Sequence, residues 1–303
     1  MSAAAVGVVA FEPNGSLIIP LVSAALEEAG CAFVFVNAVA DEEVLAGLRQ
    51  LGARCSIIHC DDNLGVAEAL NMIALHAIMA GYCRVVLFDQ DSRPPKGLVG
   101  RLNEAMDRLQ ASGERVAVVG PTIVAPRGRE LEFKSPRYFP AHERQPLSGV
   151  VPVRYVITSG SLVDLDAFRS VGQFRSDFFI DSIDTEWCFR AWSRGYSCWY
   201  VPSVSMEHTI GEGVIFGRYP RQSAMRMYSW FRNQLVTITL PHVPMLWKAR
   251  LALYAAVLAI AVVVDSKFDR AVVGSIGRAF VDGWKRRLGP PPGAIRARRM
   301  PLE

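Results

Sequence analysis

A chain of 303 residues, 51% of them hydrophobic and 20% charged, can bury a sizeable core as one large domain or a domain with an appendage; this composition is not that of a disordered, collagen-like or disulfide-scaffold protein. A formal net charge of +4 gives no reason to expect nucleic acid as a partner. No C-x-x-C pair occurs among Cys31, Cys55, Cys60, Cys83, Cys188 and Cys198, which argues against a structural zinc and fits a reducing cytoplasm.

The first residues carry no positive charge before a short apolar run, so no signal peptide is expected. Residues 6–11 read as a strand, 16–29 as a helix with Leu17, Leu21, Ala24 and Ala25 at helical spacing, and 33–37 as a second strand. A helix over 41–51 capped by Asp41, a strand at 56–59, a helix over 66–80, a strand at 84–88, a helix over 98–110 and a strand at 115–119 follow. This alternation predicts an α/β fold with a mostly parallel sheet flanked by helices on both faces. Ligands of such sheets bind beyond the carboxyl ends of the strands, which directs attention to the segments after Phe11, His59 and Phe88. Neither a G-x-G-x-x-G fingerprint nor a Walker loop is present.

Two carboxylates, Asp89 and Asp91, close the apolar strand at 84–88. Side chains two apart on an extended segment point the same way, and a divalent cation bound to a diphosphate is the natural compensator of their repulsion. The same spacing at Asp164 and Asp166 reads instead as a turn into a helix. Asp181, Asp184 and Glu186 lie within six residues among aromatics, with the helical pattern beginning at Thr185. Capping and the helix dipole explain acids at a helix start; partial enclosure and mutual repulsion equally suit one of them to act as a general base. Residues 157–162 (ITSGSL) read as a strand entering a small-residue turn, where Gly160 allows close approach to a ligand or makes a tight turn. The loop from Asp61 through Asn63 and Gly65 runs into the helix bearing Asn71, as a cap or as part of a site. His208 follows a strand-like segment and precedes Gly211, which leaves it a structural histidine or a metal ligand.

Toward the C-terminus an aromatic-rich stretch, 219–231, precedes an apolar run at 251–264. That run is shorter than the roughly 20 residues a spanning helix needs, and it is expected to pack on the core, with contact at a membrane interface as the second reading. Lys285, Arg286, Arg287, Arg296, Arg298 and Arg299 make a basic end that reads either as a solvated tail or as a contact for a phosphate-rich surface.

Taken in order, 9–13 (VAFEP), 63–71 (NLGVAEALN), 88–92 (FDQDS), 157–162 (ITSGSL), 178–190, 208–211 and Arg232-Asn233 resemble the family 2 glycosyltransferases, and most nearly the branch that transfers L-rhamnose from dTDP-L-rhamnose in bacterial surface polysaccharides. The likeness spans roughly residues 5–240 and rests on the combination of motifs. It implies a GT-A catalytic domain over 1–244, with a nucleotide-binding half at 1–120 and an acceptor-binding half at 121–244, followed by a helical extension at 245–303. It further implies Mg²⁺ or Mn²⁺ held by Asp91 and His208, and Asp184 as the catalytic base of an inverting displacement, with Asp181 and Glu186 tuning that base or positioning the acceptor. A donor site would be formed by Phe11, Glu12, Asn37, Asn63, Gly65, Asn71, Asp89, Gln90, Thr158, Ser159 and Gly160, and acceptor contacts by Phe179, Trp187 and Arg232. The partners implied are dTDP-L-rhamnose or another nucleotide sugar and a glycan acceptor, lipid-linked, at the inner face of the bacterial inner membrane through residues 246–303. No nucleic acid is expected, and self-association stays open.

One position departs from the pattern: Val36 stands where relatives carry an acid that contacts the nucleotide, with Glu12, Asn37, Asp61 and Asp62 as substitutes in reach. UDP-linked donors, an inactive nucleotide-binding scaffold, and a phosphotransferase of the haloacid-dehalogenase type with FDQDS as its nucleophile loop are the rival readings.

Overall fold

The computed structural model describes residues 4–124, 149–208, 211 and 213–294, so Arg296, Arg298 and Arg299 of the basic end, and residues 209–210 after His208, lie outside the described residues. The chain runs β1 (Ala5–Phe11), α1 (Gly15–Glu28), β2 (Ala32–Asn37), α2 (Glu42–Arg49), β3 (Cys55–Cys60), α3 (Val66–Met79), β4 (Arg84–Asp89), α4 (Leu98–Ala111) and β5 (Val116–Val124). It continues through β6 (Val151–Pro152), β7 (Ser161–Asp164), α5 (Leu165–Val171), a 3-10 turn at Ser176–Phe178, α6 (Ile183–Ser193), β8 (Ser197–Glu207), a small hairpin of β9 (Gly213–Ile215) and β10 (Tyr219–Arg221), and the helices α7 (Ala224–Thr237), α8 (Met245–Asp265) and α9 (Arg270–Trp284).

Eight strands form one sheet in the order β3-β2-β1-β4-β7-β5-β8-β6. The first four are parallel, β7 runs antiparallel between β4 and β5, β8 is parallel to β5, and β6 is an antiparallel edge. Both faces are covered, which is why the strands read as continuous apolar runs. Successive residues of β1 alternate between two cores: Val6, Val8 and Ala10 pack with α1, α2 and α4, whereas Ala5 and Val9 pack with α3, α5 and α6. A Cβ at Gly7 would meet Ile73 Cγ2 at 2.2 Å, so the bare backbone there lets α3 lie close on the sheet. Tyr228, Phe231, Ala255, Leu258, Ile276 and Ala279 make a third core between α7, α8 and α9.

Three expectations change. Asp41 sits at the N-cap of α2, but its carboxylate makes no cap hydrogen bond. The order within 157–162 is reversed: the small-residue turn comes first and the strand follows from Ser161, because the chain must turn before it can pair antiparallel with β4. The apolar run at 251–264 is the body of a helix of 21 residues, about 31 Å long at the α-helical rise and so long enough to cross a bilayer by length and composition. The helix also includes the charged Lys248 and Arg250, which interrupt the apolar sequence on its N-terminal side.

Asn71 is a clamp in this fold. On α3 and 1% exposed, it donates Nδ2 to the Phe174 carbonyl (2.9 Å) and Ser176 Oγ (3.1 Å) and accepts from Phe174 N (2.8 Å), tying the turn before α6 to the first half of the sheet. Asn71→Ala orphans buried backbone groups and is expected to cost about 1–3 kcal/mol in chemical denaturation. An unchanged midpoint would contradict the clamp.

Candidate functional site

Chain order places the switch point of the sheet between β1 and β4, where the strands begin to be laid down on the other side of β1. There Gln90 closes the strand ends, accepting from Phe11 N (3.1 Å) and donating to the Phe11 carbonyl (3.0 Å). Both faces of its amide are thus taken by backbone. Beside it, Asn37 at the end of β2 donates to Asn63 Oδ1 (3.0 Å) and accepts from Leu64 N (2.8 Å), while Asn63 accepts from Gly65 N (3.0 Å). This pair of amides shapes the loop entering α3. Val36 is fully buried in the core beneath α1 and α2, so the end of β2 offers no carboxylate; Glu12, with a left-handed backbone (φ 46°), Asp61 and Asp62 are the exposed acids of this edge.

Asp89 ends β4, and the following turn sets Asp91 outward into solvent. Ser92 Oγ donates to nothing in the Asp89 side chain; it accepts from Asp89 N (3.1 Å) and shares a 2.6 Å hydrogen bond with Ser159 Oγ. Ser159 belongs to the turn before β7, where Gly160 takes φ 80° and donates its N–H to the Leu87 carbonyl at 2.7 Å. A Cβ on Gly160 would meet Met206 Sδ at 2.8 Å. The turn reaches two acids at once: the Ser159 hydroxyl pulls the Asp89 carboxyl down, and the Thr158 N–H does the same to Asp184.

Burial pushes the Asp89 carboxyl up, and the Asp91 charge adds to this, while His208, Arg226 and the Ser159 hydroxyl pull it down. Asp184, in the first turn of α6, is raised to about 6, chiefly by burial and also by Asp181, against hydrogen bonds from the Thr185 and Thr158 backbone. Asp181 is raised by burial and held back by Arg226, whose Nη2 lies 2.7 Å from its Oδ1. Arg226, in the first turn of α7, also feels the charges of Asp89 and Asp184. No local pattern around Arg226 marked it in the sequence; only the packing of α7 across this edge brings it among the acids.

The segment carrying Asp181 is strained. Phe179, Asp181 and Ser182 have positive φ of 64°, 63° and 65°, a conformation costing non-glycine residues about 1–3 kcal/mol each. Helix α7 holds it: Asn233 Nδ2 lies within 3.1 Å of the carbonyls of Phe178, Ile180 and Asp181, Arg232 donates to Phe178, and Gln234 donates to Ser182 Oγ (2.8 Å). The Phe179 carbonyl in turn receives Val66 N (2.7 Å), capping α3, and its ring fills the space that a Cβ on Gly65 would need.

The residues singled out in the sequence thus separate. Asp89, Asp91, Thr158, Ser159, Gly160, Asp181, Asp184 and His208 gather along one sheet edge, with Phe11, Glu12, Asn37, Asn63, Gly65 and Gln90 beside them. The others turn inward. Trp187 is 1% exposed, packs on Phe174 and Phe168, and donates to the Gly172 carbonyl (2.8 Å). Glu186 is 1% exposed and is held by Arg190 (2.9 Å) and His242 (3.0 Å); burial opposes its ionisation, but those partners outweigh it and lower its pKa. Arg232, 1% exposed, is engaged with Gly289, Phe178 and Asn233. Phe179 is 3% exposed. Trp187, Glu186, Arg232 and Phe179 support the site from behind, and Asn71 does the same from α3.

Among the described residues no three His, Cys, Asp or Glu side chains converge closely enough to make a metal cage. The donors present are an exposed carboxylate, Asp91, beside Asp89 and His208, which suits a hard divalent ion that takes one or two carboxylates and completes its shell with phosphate and water. The phosphotransferase reading fits poorly, since that chemistry sits on the first strand of its domain and Asp89 ends the fourth.

No protein-family model matches the chain. Among curated proteins it is 26% identical over 219 residues to the dTDP-rhamnosyl transferase RfbF of Shigella flexneri, covering 68% of this chain and 70% of that protein. Among solved structures it is similar to S. aureus TarS 1–349 in complex with UDP-GlcNAc, with TM-score 0.55 and 13% identity over 92% of this chain and 81% of the other. It is also similar to GalNAc-T7 with UDP, GalNAc and Mn²⁺, with TM-score 0.58 and 11% identity over 84% of this chain. The chain spans 55% of the length of that GalNAc-T7 chain and 42% of a longer TarS chain. The sequence therefore resembles a rhamnosyltransferase, and the fold is the GT-A-like α/β sheet with a helical C-terminal region.

Replacing Arg226 by Gln leaves Asp181, 7% exposed, without its counter-ion. Because Arg226 itself is 41% exposed, water screens part of the pair, and the expected loss is about 1–2 kcal/mol in denaturant unfolding. Stability equal to that of the parent would show that Asp181 does not depend on this cation.

Proposed function

We propose that this chain is an inverting glycosyltransferase that moves L-rhamnose from dTDP-L-rhamnose to a hydroxyl of a surface-polysaccharide acceptor. The observation that carries the reading is the turn at 158–160, which lies against both Asp89 and Asp184: the Ser159 hydroxyl lowers the pKa of the first and the Thr158 N–H that of the second, so one element joins the acid at the sheet's switch point to the acid suited to be a base. The GT-A-like fold and the resemblance to a rhamnosyltransferase support it.

In this reading the diphosphate of the donor lies beyond β4, near Asp91, His208 and Arg226. Mg²⁺ or Mn²⁺ held by Asp91 and His208 would offset the negative charge of the leaving diphosphate. Thr158, Ser159 and Gly160 line the sugar, the backbone of Gly160 allowing close approach. Asp184 takes the proton from the acceptor hydroxyl as the hydroxyl oxygen attacks the anomeric carbon and the diphosphate departs. Asp181 raises the proton affinity of that base, and Arg226 limits the rise. The acceptor is a lipid-linked glycan, which places the enzyme at the cytoplasmic face of the inner membrane.

A base works only when deprotonated. With Asp184 raised to about 6, turnover is expected to fall as pH drops through about 6 and to level off above it. Asp184→Asn should lower turnover by about 10²–10⁴-fold while leaving nucleotide affinity within about twofold, and should abolish that acidic limb in the residual rate. A mutant retaining turnover and the limb would remove Asp184 from the base role.

Calorimetric titration with dTDP, UDP and GDP, each with and without Mn²⁺, tests donor and metal together. Metal-dependent binding of dTDP, weakened by Asp91→Ala, is expected. Preference for UDP would replace the rhamnose donor with a UDP-linked one. Binding without any donor hydrolysis or transfer would favour the inactive nucleotide-binding scaffold, and failure of all three nucleotides to bind would remove the nucleotide-sugar reading.

A further inference from the structure

Helix α8 has its ordinary polarity missing. One face, Ala255, Leu258 and Ala261, is buried, with Ala255 and Leu258 packed against α7 and α9. The face turned to solvent should then be polar, yet it carries Leu246 (63% exposed), Leu253 (68%), Val257 (38%), Ile260 (65%) and Val264 (44%) at helical spacing. From Leu251 to Val264 the helix contains no charged or amide side chain at all. An exposed apolar ridge of this length on a helix otherwise anchored to its own protein marks a contact surface.

Charges stand at both ends of the ridge. Lys248 and Arg250 lie at its start, and Lys267 and Arg270 just past its end, with the exposed Phe268 between them. Nearby acids are already engaged: Asp265 with Arg221 at 2.8 Å, and Asp269 capping the N-terminus of α9. Trp284, 77% exposed, is followed by Lys285, Arg286 and Arg287 at the end of α9. Two copies pairing antiparallel through the ridge would set cations against cations, which disfavours a second copy as the occupant. Apolar surface rimmed by cations and amphipathic aromatics is complementary to an anionic lipid surface. The helices that cover its other face, α7 and α9, are 14 and 15 residues long and too short to span a bilayer with it, so α8 lies along the membrane plane.

We propose that α8 lies in the interfacial plane of an anionic lipid leaflet through the ridge Leu246–Leu253–Val257–Ile260–Val264, and that this contact fixes how the catalytic edge faces the membrane. The second part follows from how α8 meets the site. Trp247 packs on Phe189 of α6 and on Tyr155 (centroids 5.2 and 6.1 Å), and Tyr155 is close enough to feel the charge of Asp184. The leaflet is thus coupled through two aromatic contacts to the helix that bears Asp184. This orientation rests on the proposed transfer reaction, but the lipid contact does not.

The test is co-sedimentation of the full chain with vesicles of phosphatidylcholine alone or with about one-third phosphatidylglycerol. A Leu253→Glu/Ile260→Glu double variant, both positions solvent-exposed, is run beside the parent, with nucleotide titration and thermal melting as controls. Expected are binding of the parent to anionic vesicles, release by alkaline carbonate, and a loss of at least tenfold in the variant with nucleotide affinity and melting temperature unchanged. Equal vesicle binding by the variant overturns the proposal, as does resistance of the parent to carbonate, which would mean a spanning helix. A parent dimer in light scattering that the variant dissociates, without vesicle binding by either, overturns it in favour of a second copy. Because nucleotide affinity is read separately, a failed lipid contact and a failed glycosyltransferase reading give different results.

Discussion

Asp89, Asp181 and Asp184 share one partly enclosed sheet edge, and the rest of the site is arranged around the cost of holding them there. Burial raises the pKa of all three carboxyls, and their neighbours' charges raise those of Asp89 and Asp184 further. The protein answers with one full cation and several dipoles. Arg226 reaches in from α7 to pair with Asp181 and is felt by the other two, His208 and the Ser159 hydroxyl hold the Asp89 carboxyl down, the Thr185 N–H donates to Asp184, and the Thr158 N–H holds that carboxyl down as well. The balance is uneven, and the unevenness is useful. Asp181 has a guanidinium in contact; Asp184 has hydrogen bonds and no ion pair, so its carboxyl settles near the range in which a base exchanges protons at neutral pH.

Such an arrangement needs a rigid frame, because carboxylates free to move would part. The frame is helix α7 with its run Arg232-Asn233-Gln234. All three side chains are buried, and all three bond to the segment at 178–182, where three residues stand in a left-handed backbone. Strain of this kind persists only where surrounding structure over-determines it. The Phe179 carbonyl then extends the frame into the first half of the chain by capping α3, and Asn71 repeats the connection one turn further along that helix. The acids of the second half are in this way referenced to the strand ends of the first.

This frame explains what could be read in the sequence and what could not. The strands and helices of the first half were legible because each is a local pattern of apolar residues bounded by turns, and the acid pair after β4 was legible because a strand end is a local event. Arg232, Trp187, Asn71 and Glu186 stood out as polar or aromatic residues in suggestive places, but their partners lie far away in sequence. Asn71 meets Phe174 and Arg232 meets Gly289, and only those contacts identify them as inward-facing supports. Arg226 is the converse case. Its partner Asp181 is 45 residues away, and nothing in its neighbourhood distinguishes it from the other arginines of the basic C-terminal third. The reversal within 157–162 has a similar origin: pairing of β7 with β4 and β5 fixes where the strand begins, and that pairing leaves no local trace.

The same reasoning bears on the C-terminal helices. Within α8, apolar residues occupy both the protein-facing and the outward side, so periodicity could not tell a core helix from a surface one; only the burial of Ala255, Leu258 and Ala261 against the exposure of Leu253 and Ile260 does. On the inner side Ala255 and Leu258 pack with α7, the helix that frames the acids, while Leu246, Leu253 and Ile260 are left facing out. Had the helix served only to complete a core, Leu246, Leu253 and Ile260 would be expected inside as Leu258 is, where each contributes about 1.5–3 kcal/mol on burial. Their placement on the outer face forgoes that stabilisation within the protein, and a surface that binds the ridge is where it would be regained. The contact of Trp247 with Phe189 then makes α8 a lever on α6, so any surface that orients α8 also orients Asp184.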